Sequence, residues 1–429
     1  MTEQACCPKQ YFGHFINYLR RHWNITLKCH SIFYNLSKNN TKSKASMKSE
    51  GALYNVHLNA ARGFAALIVF AGHGRDFFLD SIRAAVGLGA TTESHAIVSA
   101  AHAPSTNVGH QAVIIFFVLS GYLVGGGVIR ALRKSTWSWK YYTLQRLTRL
   151  WTVLLPALLL TLALDALGRY FSGPNSIYSH RNELAEISGT LDPATFVGNL
   201  LFVQTILVDT FGTNGPLWSL ANEFWYYVMF PLVVFAILSD SVIHRLATVM
   251  ILGLIIYFIG FQITLYFVIW LMGAALEFPP RCRCRRAAQF GTYGSVFVFI
   301  VANVLLLKYP INLFASDLIL AALFSICCYF ILHATERATT NLYFVCSAFL
   351  SEMSYTLYLV HTPLLVFLSA ILVGSWKRWP LDFLHICQFV AICLFVFSVA
   401  YGVYFCFERN TGKVRAWVQR IVRLKVTPI

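Results

Sequence analysis

The chain has 429 residues, of which 57% are hydrophobic and only 12% charged, about half the ~25% charged fraction of soluble domains. Its formal net charge is +16, but Lys and Arg gather in short connections between apolar stretches, where the positive-inside rule puts them. That distribution excludes a nucleic-acid-binding protein and defines an all-α polytopic membrane protein.

Residues 1–56 are polar and basic, with Arg20, Arg21, Lys28, Lys38, Lys42, Lys44 and Lys48, and lack an apolar signal-peptide core. They read as a cytoplasmic, disordered leader, with Met47 as an alternative start. The sequons at Asn24, Asn35 and Asn39 would then go unused. Cys6 and Cys7 carry no lipidation signal beyond their position. The 11 cysteines are scattered, several within apolar segments, and read as small hydrophobes. Cys282-x-Cys284 has no second pair at metal spacing, so no metal site is expected.

At ~20 apolar residues per span, the sequence predicts about ten transmembrane helices. Their limits are 58–79, 110–130, 150–169, 216–238, 243–260, 262–278, 293–308, 312–333, 344–373 and 383–407. With the leader inside, the connections holding Arg130, Arg133, Lys134, Lys140, Arg146 and Arg149, then Arg281 to Arg286, then Arg337, are all inside, as is the basic tail 409–429. The longest outside connection carries Glu183, Glu186, Asp192 and Asp209, and Lys377-Arg378 is the exception. This asymmetry puts both termini in the cytoplasm and the protein in the cell membrane. Phe196–Val208 is too short to span and is expected to be interfacial or re-entrant. No internal repeat is visible, which argues against a transporter of inverted repeats.

Candidate chemistry begins on the first helix. Arg62 and His73 are 11 residues apart, nearly the same helix face and ~16 Å along the axis. Polar groups on one intramembrane stripe are a functional-site hypothesis, weighed here against a snorkelling Arg and a packing His. Ser120 lies in FFVLSGYL, where Gly121 and Gly125 read as close-approach positions. Arg146 and Arg149, at i and i+3, present two guanidinium forks together at the inner interface, suited either to phosphate or to ordinary anchoring. Glu223 ends PLWSLANE; counted at ~1.5 Å per residue from Pro216 it lies ~10 Å below the outer surface, level with His73. An orienting Glu223–His73 contact is therefore expected. Tyr358 and His361 share a face in SYTLYLVH, and His361 reads as either catalytic or a packing, pocket-lining histidine.

Taken in order, Arg62-x10-His73, FFVLSGYL, Arg146-x-x-Arg149, PLWSLANE and SYTLYLVH resemble the acyltransferase-3 family of integral-membrane O-acyltransferases, across about residues 55–408. The resemblance implies an acyl-CoA donor, commonly acetyl-CoA, and a sugar or cell-envelope glycan acceptor often on the outer face. It implies His73 and Arg62 as essential, and Arg146 and Arg149 in donor handling. Asn59 stands where members often have Asp, and Phe224 where many have a second acid. The tail is too short for the extracytoplasmic hydrolase-like domain fused to some members. The combined expectation is transfer from acyl-CoA with His73 as base or acyl carrier, Glu223 orienting it, and Ser120, Trp218, Ser219, Tyr358 and His361 lining the substrate site. No permanently bound cofactor is expected. The competing expectation is a transporter or flippase using Arg62, His73 and Glu223 as a relay.

Overall fold

A computed structural model describes residues 55–79, 108–172, 176–178, 191–279, 284–309, 311–334, 342–374 and 378–422. Residues 1–54 of the leader, Glu183, Glu186, Arg281, Cys282, Arg283, Arg337, Lys377 and the tail beyond 422 lie outside the described residues. The described chain is helical, with no strand of any length. In order come α1 (Asn55–Phe78), α2 (Val108–Ser120), a π-helical turn (Gly121–Gly125) and α3 (Gly126–Arg133). Then follow α4 (Trp139–Phe171), α5 (Pro193–Leu200), α6 (Leu217–Leu238), α7 (Val242–Ala275), α8 (Arg285–Lys308) and α9 (Leu313–His333). The chain closes with α10 (Leu342–Leu372), α11 (Phe383–Cys406), a 3₁₀ turn (Glu408–Asn410) and α12 (Thr411–Ile421).

Eight of the described helical segments are long and apolar enough to cross a membrane, which makes this an all-α, multi-pass membrane protein. α7 counts once among them although Gly260, at φ 78° and ψ 178°, breaks it into the two segments expected on either side of that residue. α1 carries Arg62, His73, Arg75 and Asp76, so it is less apolar; it packs against α10, α2 and α11 and leaves Phe64 and Ile68 on its exposed face. Polar caps set several starts. Ser138, Ser241, Asn312 and Asp382 each accept a backbone N–H from the first turn of α4, α7, α9 and α11. With Ser138 as cap, α4 starts eleven residues before the expected limit, which puts Arg146 and Arg149 well inside a helix instead of at its mouth.

α1 packs along both α10 and α2, while α8 keeps an apolar face outward along most of its length. α2 and α7 approach backbone to backbone. A Cβ on Gly121 would stand 1.9 Å from the Trp270 carbonyl oxygen, and one on Gly273 1.9 Å from that of Val118. The sequence reading of Gly121 as a close-approach residue holds, and Gly125 against Ala274 extends the same seam.

Phe196–Val208 does not cross the bundle. Asp192 caps α5 through the Thr195 amide, and the chain then folds back in turns. Residues 201–216 tuck inward: Gln204 donates to the Leu217 carbonyl at 2.8 Å, and Thr213 donates from both backbone and side chain to buried Asp165 at 2.7 Å. Asn214 donates to the Leu359 carbonyl at 2.8 Å, halfway along α10. α6 therefore starts inside the bundle, not at its surface.

The glycine seam yields a direct expectation. Gly121→Val and Gly273→Val force apart two backbones already in contact, an overpacking cost of at least ~1–3 kcal/mol. Gly127→Ala, with open space around its Cβ, serves as control. Detergent-solubilised valine variants should lose their monodisperse size-exclusion peak or melt earlier, and the alanine control should match the wild type.

Candidate functional site

A cavity of about 260 Å³ opens among α1, α2, α4, α6 and α10. It is smaller than the ~300–1,000 Å³ of sites that enclose a whole ligand, so a long ligand would thread through it. Its polar lining comes from Arg62, Ser120, Arg146, Arg149, Ser219, Glu223, Tyr227, Ser354, Tyr355 and Tyr358. Five separate helices thus deliver the residues that the sequence singled out at scattered positions.

The three guanidiniums form the first tier. Arg149 pairs with Glu408 at 2.6 Å, and the other Glu408 oxygen accepts from the Thr356 amide at 3.0 Å and its hydroxyl at 2.5 Å. Arg149 also lies over the Tyr355 ring. Arg146 sits between the rings of Tyr142 and Tyr227, 5.9 and 5.7 Å from their centroids. Its Nε is buried and has no hydrogen-bond partner among the described residues, an open donor that an incoming acceptor would satisfy. Arg62, mostly buried, lies within electrostatic reach of Arg149, Glu408, Glu223 and Tyr227. Three guanidiniums thus face two carboxylates, and one carboxylate is already engaged by Arg149. The cavity carries a net positive charge and suits an anion.

Glu223 belongs to this tier. Its Oε1 accepts from Ser120 Oγ at 2.7 Å and from the Tyr227 hydroxyl, while Trp270 Nε1 donates to Ser120 Oγ at 3.1 Å. Ser120 holds its place at the last residue before the π turn, a helical irregularity frequent at functional sites. The expected contact between Glu223 and His73 is therefore replaced by a Trp270–Ser120–Glu223–Tyr227 network. Helix counting set the start of α6 at the membrane surface. The inward fold of 201–216 lowers that start to the level of Leu359, and Glu223 lies six residues further, ~9 Å toward the arginines.

The histidines make a second tier. His73 Nδ1 and His361 Nε2 are 2.9 Å apart, with His73 9% and His361 0% exposed. Neither lines the cavity. It reaches Tyr358, whose ring centroid is 6.0 Å from that of His361. The hydroxyls of Tyr358 and Ser219 lie 2.7 Å apart, so α10 and α6 are joined where the cavity meets this tier. Trp218 turns away: its ring stacks on His110, which pairs with Asp317 at 2.8 Å. Of the residues expected to line the substrate site, Ser120, Ser219 and Tyr358 reach the cavity, while Trp218 and His361 stand behind it.

Sequence reading passed over Glu408 and Tyr227. Glu408 follows directly on the last expected helix and stands immediately before the basic tail. Its signal was a lone acid among basic residues. Tyr227 is i+4 from Glu223, a spacing that puts both on one face.

The described bundle is that of a polytopic membrane protein with an arginine-rich cavity among its helices. The match to the acyltransferase domain of the acyltransferase-3 family spans residues 55–405, and the chain belongs to that family. A protein of Haemophilus influenzae strain Rd, itself uncharacterized, is 30% identical over 150 residues, 34% of this chain. The matched stretch covers 56% of that relative's length. No solved structure matches.

Arg146 and Arg149 differ in what they would cost to lose. Arg149→Ala strands the buried Glu408 carboxylate, and removing one partner of a buried pair costs roughly 3–5 kcal/mol. Arg146 is in no ion pair among the described residues, so Arg146→Ala should leave the melting temperature near that of the wild type. Parallel thermal melts in one detergent compare the two, and Glu408→Gln should recover part of the stability lost in Arg149→Ala.

Proposed function

We propose that this protein is a membrane O-acyltransferase that moves an acyl group, acetyl in the simplest case, from acyl-CoA to a hydroxyl of a sugar or cell-envelope glycan. The observation that carries the reading is the part-buried cluster of Arg62, Arg146 and Arg149 lining the cavity, with the unpartnered Arg146 Nε. Family membership supplies the reaction class. In this reading the donor's phosphates dock on Arg146 and Arg62 as charge-assisted hydrogen bonds. Arg149, held by Glu408, contributes field more than contact.

The thin pantetheine arm follows the cavity from the arginines toward Tyr358, and its thioester meets the histidine tier. The ~16 Å between Arg62 and His73 along α1 suits a ligand with an anionic head and a long neutral arm. His73 accepts the proton of the acceptor hydroxyl as that oxygen attacks the thioester carbonyl. The C–S bond breaks, and the CoA thiolate leaves with the proton from the His73 imidazolium. Glu223, tied to Ser120 and Tyr227, acts as the counter-charge that offsets the mutual repulsion of the arginines in a low-dielectric site. Lys and Arg enrichment at the arginine end supports a cytoplasmic donor side, with the acceptor reached from the histidine side of the cell membrane.

The test is release of CoA from labelled acetyl-CoA by membranes holding the wild type, His73→Ala or Arg146→Ala, with envelope glycan as acceptor. Label should enter the glycan with the wild type. It should fall by at least ~100-fold with His73→Ala, and Arg146→Ala should raise KM for the donor more than it lowers kcat. Transfer undiminished in His73→Ala would overturn the mechanism. Movement of a substrate across the membrane without CoA release would favour the relay of a transporter.

A further inference from the structure

We infer that His361 is the positioning residue for His73: it holds His73 as the Nδ1–H tautomer and so makes Nε2 the basic nitrogen. The inference rests on the reading of His73 as the base and extends it to the group that sets its protonation.

His361 Nδ1 lies 3.0 Å from the Leu357 oxygen, one turn earlier on α10. A carbonyl only accepts, so Nδ1 of His361 carries the proton, and in the neutral ring Nε2 holds the lone pair. That lone pair faces two donors. Thr362 Oγ1 is 3.1 Å away and His73 Nδ1 is 2.9 Å away. His73 Nδ1 must therefore supply a proton to the shared bond, and the remaining nitrogen, Nε2, is the one left unprotonated in neutral His73.

Ring geometry supports a hydrogen bond over a face-to-face stack. The planes are 13° apart with centroids 5.2 Å apart, a separation equal to the N···N distance plus a ring radius at each end. The rings therefore meet edge to edge, close to one plane, and the lone pair of His361 points along the bond. Phe70 closes the edge of His361 at 6.1 Å and 82°, and full burial of His361 keeps bulk water from competing for Nε2. When His73 takes up a proton on Nε2, its Nδ1–H still donates to His361, which stabilises the cation without taking the proton away. A carboxylate fills this place in hydrolytic triads; here a carbonyl acting through a second imidazole does so.

Nitrogen NMR of ¹⁵N-histidine-labelled protein in lipid bilayers tests the assignment, with the His73 signals identified by their loss in His73→Gln. In the wild type at a pH where both rings are neutral, His73 should show a protonated Nδ1 and a bare Nε2. His361→Ala should move it to the Nε2–H form, and His361→Gln, whose side-chain oxygen accepts a proton, should keep Nδ1–H. A wild-type His73 already protonated at Nε2 overturns the inference without recourse to any variant, as does a spectrum unchanged in a folded His361→Ala. In CoA release, His361→Ala should lower kcat ~100-fold with KM for acetyl-CoA held within about 2-fold, and His361→Gln should recover most of the rate. The expected tautomer in a protein that releases no CoA would refute the acyl-transfer reading and leave the pairing intact.

Discussion

The ion pair of Arg149 with Glu408 is the contact on which the rest of the site depends. Isolated charges are expensive in an apolar bundle, and this pair lets a guanidinium sit deep in α4 because the end of α11 brings a carboxylate to meet it. Thr356 on α10 satisfies the second oxygen. One carboxylate thus ties three parts of the chain around the cavity, and it compensates one of the three guanidiniums that line it.

The cavity and the histidine pair form two layers with different physics. In the arginine layer, charge dominates: guanidiniums, aromatic rings over them, and Glu223 held by two hydroxyls. In the histidine layer, two imidazoles face one another and His361 is tied back to the Leu357 carbonyl on its own helix. Tyr358 and Ser219 stand between the layers. A donor with a charged head and a neutral reactive end matches this order, because each part of it meets the environment that costs it least.

Elements with strong local signals were legible before any fold was known. The apolar segments, the break at Gly260, the failure of Phe196–Val208 to span and the close-approach glycines all follow from hydropathy, length and residue size. Residues bound to helical periodicity were equally legible, such as Arg62 with His73 and Arg146 with Arg149. The depth of Glu223 was not. It depended on residues 201–216 folding inward to give their polar groups to Asp165, Leu217 and Leu359, and no local pattern announces a partner 145 residues away.

The sequence by itself determined the class of protein, the rough places of the apolar segments and the residue types able to do chemistry, because each of these is set within one helix by apolar length, spacing and charge. It counted about ten spans where eight described helical segments are long and apolar enough to cross. Only the tertiary structure decided the partnerships: Glu223 with Ser120 and Tyr227, Arg149 with Glu408, His73 with His361. Inside an apolar bundle a polar side chain must find its partner across helices, and which partner lies within 3 Å depends on the depth at which each helix starts and on where its neighbours stand.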